Sequence, residues 1–91
     1  MLSESDINKK LEGLKDWKYE EGFLRKEYKF YNFLEAVEFV NRTAILAEDL
    51  GHHPDLFIHS YNKLNVQVKT HDQDAVTEKD FELAKGLEEL S

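Results

Sequence analysis

The chain has 91 residues, 41% hydrophobic and 34% charged, and its 12 Lys and Arg against 19 Asp and Glu leave it at net charge −7. That length suits one domain, residues 1–91, which would bury about 60–65% of its extended surface and gain from self-association. The negative charge argues against direct nucleic-acid or membrane-surface binding, and the absence of cysteine removes disulfides, thiolate zinc sites and cysteine nucleophiles.

The chain opens on Met1-Leu2-Ser3-Glu4-Ser5-Asp6, without the basic start and apolar run of a signal peptide. No later apolar run nears the ~20 residues of a membrane helix, so a cytoplasmic protein is expected. Ser3 is placed to cap a first helix, with Asp6 three residues on and Leu2 and Ile7 as a hydrophobic staple. Ile7, Leu11 and Leu14 form its stripe, and Gly13 lies near its stop. Trp17 to Glu20 and Phe23 to Phe30 alternate aromatic and charged residues about Glu21-Gly22, which predicts a β-hairpin.

A long helix follows, capped by Asn32 with Glu35 three residues later. Phe33, Ala36, Val37, Val40, Ala44 and Ala47 give it one buried face, and Gly51 and Pro54 end it. Leu56 to Tyr61 reads as a third strand, Asn62-Lys63 as a turn and Leu64 to Thr70 as a fourth strand. Thr77 caps a last helix with Asp80 at its third position, and Phe81, Leu83, Ala84, Leu87 and Leu90 form its apolar side. The order α-β-β-α-β-β-α predicts an α+β fold, a four-stranded antiparallel sheet with helices packed on one face.

Three of the four histidines border the second hairpin: His52 and His53 before it, His71 after it. The hairpin returns the chain to its origin, so the two ends can meet, with Asp55, Asp72 and Asp74 nearby. Imidazoles beside carboxylates suit either a metal site or metal-free acid–base chemistry, since an imidazole takes and gives a proton near neutrality. Adjacent residues on an extended chain point to opposite sides, so His52 and His53 are poorly placed to chelate one ion. His59, mid-strand, reads as a solvent or interface residue. No Gly-rich phosphate loop or nucleophile elbow is present. Trp17, Tyr19, Phe23, Tyr28 and Phe30 could stack on a ligand, but core and cross-strand packing suits them better at this net charge.

Four runs carry a resemblance over essentially the whole chain: Glu48-Asp49-Leu50-Gly51-His52-His53-Pro54-Asp55, Tyr61-Asn62-Lys63, Thr70-His71-Asp72 and Thr77-Glu78-Lys79-Asp80-Phe81-Glu82-Leu83-Ala84. In that order they resemble the pterin-4a-carbinolamine dehydratases. One departure is a residue added, relative to animal members, near Phe57-Ile58-His59-Ser60, which is expected to shift a bulge or the strand register. The resemblance implies the fold derived above, and homodimers that join their sheets, some pairing into homotetramers. It implies a hydro-lyase that dehydrates a 4a-hydroxytetrahydropterin to the quinonoid dihydropterin, recycling the cofactor of aromatic amino-acid hydroxylases. That reaction involves no redox change, so neither a metal nor a nicotinamide cofactor is expected.

By position, the resemblance makes His52, His53 and His71 the three catalytic histidines. Pro54 is expected to line the pocket, backbone groups of Thr70 and Asp72 to bind the pterin's amide-like edge, and Asp80 to orient a histidine or cap the last helix. Animal members also serve as a dimerisation cofactor for a transcription factor, so a non-catalytic role as dimerisation cofactor or assembly partner is the alternative. The charged outer side of the last helix, Glu78, Lys79, Glu82, Lys85 and Glu89, disfavours a helical partner there.

Overall fold

The computed structural model describes residues 2–91; Met1, where the acidic start begins, lies outside the described residues. In chain order the elements are α1 (Glu4–Leu11), β1 (Lys18–Glu20), β2 (Phe23–Lys29), α2 (Phe33–Leu50), β3 (Asp55–His59), β4 (Lys63–Val68), a 3-10 turn (His71–Gln73) and α3 (Glu78–Leu90). The strands form one antiparallel sheet in the order β1-β2-β4-β3, so the two hairpins join through β2 and β4. This is the α+β arrangement expected from the element order.

Alternation along the strands decides which face of the sheet carries the helices. Leu24, Tyr28, Leu64, Val66 and Val68 are buried, and Leu56 and Ile58 pack against them. Residues between them, Arg25, Glu27, Asn65 and Gln67, occupy the open face. There Arg25 Nε donates to Gln67 Oε1 at 3.0 Å and Gln67 Nε2 to Asp55 Oδ2 at 3.0 Å, tying the start of β3 across the sheet. Of the first hairpin's aromatics, Trp17 and Tyr28 are buried and Tyr19 and Phe30 pack against the core, whereas the Phe23 ring lies against Arg25 and Lys69; the Tyr28 and Phe39 ring centroids are 4.9 Å apart.

Local signals set most helix ends. Ser3 and Asp6 form a reciprocal capping box on α1, as Thr77 and Asp80 do on α3. Asn32 caps α2 by accepting from the Glu35 amide, whereas the Glu35 carboxylate turns to the Tyr31 amide. Gly13 does not end α1 in the left-handed region. Short turns carry the chain past Leu11, and Asp16 takes the positive φ of 66° before β1.

Two readings need correction. Phe33 and Ala44 are exposed, and the buried face of α2 is Ala36, Phe39, Thr43 and Ala47. The hairpin turn is Ser60-Tyr61-Asn62, not Asn62-Lys63. Ser60 and Tyr61 both adopt positive φ, while Asn62 is held by exchange with Phe30, its side chain donating to the Phe30 carbonyl at 2.9 Å. The pairing of β3 with β4 runs without a bulge from Asp55 opposite Gln67 to His59 opposite Lys63. The turn that follows leaves Tyr61 exposed. At the far side of the core, a Cβ on Gly86 would lie 2.7 Å from Leu46 Cδ2, so α3 approaches α2 closely there. Gly86 and Asp80 lie on the same helix.

Candidate active site

Helix α2 stops because Gly51 enters the left-handed region at φ 65°. The Gly51 amide then donates to the Glu48 carbonyl and the His52 amide to the Ala47 carbonyl, the paired bonds of a Schellman end. Beyond it the chain extends, and the two adjacent histidines diverge as the pleat requires. His52 turns inward, its side chain 13% exposed, with Nε2 2.6 Å from Asp80 Oδ1. His53 stays 62% exposed, its Nε2 2.5 Å from Glu48 Oε2.

Asp80 comes from the first turn of α3 and is fully buried. Its Oδ1 faces His52, while Oδ2 accepts from the Thr70 hydroxyl at 3.0 Å and the Thr77 amide at 2.8 Å. It therefore both caps α3 and orients a histidine. An ionised carboxylate can only accept, so in the neutral ring the proton on His52 lies on Nε2 and the Nδ1 lone pair turns away from Asp80.

His71 opens the 3-10 turn directly after Thr70 and is exposed, as is Asp72. The bridge between Thr70 and Ala75 closes this turn, and Asp74 ends it at φ 49°. The Thr70 amide donates to the Ala75 carbonyl and its own carbonyl accepts from Gln73 and Ala75, so the backbone groups of Thr70 are engaged within the turn. Lys69, hydrogen-bonded to Asp74 at 2.6 Å, holds that carboxyl below the usual carboxylate range. Pro54 is half-buried between the histidine pair and β3.

Asp80 thus joins the corner that bears His52 to the strand end that bears His71, while His53 is engaged separately by Glu48. His59 lies apart, stacked on Phe57 and 2.7 Å from Glu27 on the open sheet face. A concavity of about 470 Å³ on that face is lined by Lys18, Arg25, Glu27 and Gln67 among others, and none of the histidines lines it. Among the described residues, no three His, Asp or Glu are grouped so as to hold a metal ion. The sequence reading missed the Glu48 carboxylate and the Thr70 side chain. Glu48 is five residues before His53, a spacing that brings groups together only when a helix end reverses the chain. Thr70 ends a strand, where the sequence points to backbone contacts and gives no signal for its hydroxyl.

A family model described as pterin 4 alpha carbinolamine dehydratase matches residues 1–90. A Sulfolobus acidocaldarius protein, provisionally named a pterin-4-alpha-carbinolamine dehydratase, is 43% identical over 89 residues, covering 98% of this chain and 97% of the relative. A Cyanothece protein with the same provisional name is 41% identical over 91 residues, covering 100% and 93% of the two chains. Among solved structures, a transcriptional coactivator/pterin dehydratase from Brucella melitensis aligns with TM-score 0.90 and 33% identity, over 97% of this chain and 95% of the other. A pterin dehydratase-like protein described as a RuBisCO assembly factor in the alpha-carboxysome aligns at TM-score 0.65 and 19% identity, over 81% and 84%, a likeness of fold alone.

Proposed function

Because the chain belongs to the pterin-4a-carbinolamine dehydratase family, we propose that it removes water from a 4a-hydroxytetrahydropterin to give the quinonoid dihydropterin. It would thereby return the pterin cofactor of aromatic amino-acid hydroxylases to use. In the elimination, the bond from carbon 4a to oxygen breaks and the neighbouring ring nitrogen loses its proton. A double bond forms between that carbon and nitrogen. Hydroxide leaves as water when an acid supplies a proton, and a base takes the one from nitrogen, each worth about 10²–10⁴-fold.

His53 and His71 are assigned to the proton transfers, with His52 completing the set from the other side of the pterin ring. Pro54 is assigned to the pocket lining, and the Thr70 and Asp72 segment to the pterin's amide-like edge. The observation that carries this reading is the buried Asp80 carboxylate, which contacts both His52 and Thr70 and so ties the two histidine-bearing segments together. No electrons pass to an acceptor, so the reaction needs no redox cofactor. The test is stopped-flow dehydration of a 4a-hydroxytetrahydropterin, with and without chelator. Chelator-insensitive acceleration over the buffer rate is expected, and acceleration abolished by the chelator would contradict metal-free proton transfer.

The chain's partners, on this reading, are its reduced pterin and further copies of itself. Edge strand β3 offers five residues for sheet joining against three in β1. On the outer side of α2, Phe33, Leu34 and Ile45 are 54%, 65% and 65% exposed, a face suited to a second pairing between dimers. Ile45→Glu is therefore expected to halve the assembly from tetramer to dimer in light scattering, with activity per site retained. A tetramer that withstands the charge would contradict that use of α2. A protein-binding role without catalysis remains the alternative, and wild-type rates no better than buffer would favour it.

A further inference from the structure

Thr70, which links β4 to the 3-10 turn, is 6% exposed, and its hydroxyl is bonded to Asp80. The carboxylate cannot donate, so Thr70 must give its proton to Asp80 Oδ2 at 3.0 Å. Thr77 Oγ1, 2.7 Å from Thr70 Oγ1, then donates to Thr70 and accepts from the Lys79 amide at 3.3 Å. The hydrogen bonds run in one direction, from the start of α3 through both threonine hydroxyls into the carboxylate that holds His52. Thr70 is also the base of the turn that carries His71, closed by its two backbone bonds with Ala75.

We infer that the Thr70 side chain is a positioning residue that, by hydrogen-bonding Asp80, sets the charge felt by His52 and fixes the His71 turn against it. Of the charged groups on neighbouring elements, Glu48 of α2 is engaged by His53, Lys69 after β4 by Asp74, Glu78 of α3 by Lys10 and Asp55 of β3 by Gln67, while Asp49 of α2, His71 and Asp72 of the turn and Lys79 of α3 are exposed. Asp80 is thus the carboxylate that acts directly on the His52 ring. It is fully buried, so no bulk water stands ready to replace a lost donor. Without the Thr70 hydroxyl, the carboxylate pulls harder on its remaining donors, and the protonated His52 ring gains.

The catalytic consequence of this role rests on the dehydratase reading, but its physical content is read without substrate. Nitrogen and proton NMR of the ligand-free protein would follow the His52 ring through a pH titration. Thr70→Val, which keeps the shape and removes the hydroxyl, is expected to raise the midpoint by about 0.5–1 pH unit. Thr70→Ser should leave it near the wild-type position, and Thr70→Cys, a weak donor, should fall between. If the Val variant does not fold, the Cys and Ser pair decides. Midpoints that coincide across the variants, or that move equally in Ser and Cys, would overturn the role. In the assay, the Val variant should shift its pH–rate limb in the same direction and the Ser variant should not. A wild-type protein without dehydratase activity would remove the proposed reaction and leave the NMR result standing.

Discussion

Replacing Asp80 with Asn is expected to lower kcat for dehydration by about 10²-fold, the cost of misplacing a group beside the reacting atoms, while the chain still folds. The side-chain oxygen of Asn can accept from the Thr77 amide and the Thr70 hydroxyl, as Asp80 Oδ2 does now, so the start of α3 keeps its cap. Its NH2 group then faces His52 Nε2, 2.6 Å from the position of Oδ1. Two donors cannot share that contact, so the neutral ring must move its proton to Nδ1, the atom that otherwise offers a lone pair. Stopped-flow kinetics would measure the loss, and ring-nitrogen NMR would show the exchanged tautomer. An Asn variant as fast as the wild type would mean that the orientation of His52 has no catalytic weight. Asp80→Ala is a poorer test because it also strips the capping box and leaves buried donors unpaired.

The largest expected change in stability lies away from the histidines. Glu88, near the end of α3, gathers three donors on Oε2: Lys26 at 2.8 Å, Tyr28 at 2.5 Å and Trp17 Nε1 at 3.2 Å. The Lys26 side chain is only 12% exposed, so Glu88→Leu would leave its ammonium with the Lys15 carbonyl but no counter-charge, beside an unpaired phenol and indole. A loss of about 2–4 kcal/mol is expected, read from urea unfolding. Burial alone would raise the Glu88 carboxyl, but hydrogen bonds from Lys26, Tyr28 and Trp17 hold it below its ordinary 4.5. Burial, and then Glu88, push the Tyr28 phenol well above its usual range, so it remains a donor at all working pH values.

A carboxyl depressed in the folded state adds stability above its unfolded value and loses it as pH falls through the folded value. Wild-type stability should therefore drop more steeply than that of Glu88→Leu below about pH 4.5. Fluorescence of Trp17, the chain's single tryptophan, reports unfolding beside the substituted group. Parallel curves for the two proteins would show that Glu88 carries no such increment.

Much of this architecture is legible in the residues because local rules agree there. Ser3, Asn32 and Thr77 cap the helices they precede, Glu21-Gly22 turns the first hairpin, and the alternation of Leu64, Val66 and Val68 marks the inner face of β4. The misread face of α2 has a physical cause. Phe33, Leu34, Ala44 and Ile45 make the outer side nearly as apolar as the inner, so periodicity alone cannot choose between them. The hairpin turn was misplaced because Ser60 and Tyr61 carry no glycine signal for positive φ, whereas Asn62 does and is instead held by Phe30.

At the candidate site, chain order makes the meeting of the His52 corner with the Thr70 strand end foreseeable, since a hairpin must return. The side chains that organise that meeting are harder to read. The reach of Asp80 to both His52 and Thr70 depends on how α3 settles against α2 at Gly86, a tertiary contact with no local sequence signature. Glu48 reaches His53 only because Gly51 reverses the chain between them.

The measurement that bears most directly on a histidine dehydratase is stopped-flow dehydration of a 4a-hydroxytetrahydropterin after chelator treatment, followed by quinonoid dihydropterin absorbance. Wild-type protein, His53→Ala and His71→Ala would run side by side. Both histidines are exposed, so neither substitution should cost the fold. Wild-type acceleration that withstands the chelator and falls toward the buffer rate in both variants is the predicted result. Wild-type rates no better than buffer, or alanine variants as fast as the wild type, would contradict it.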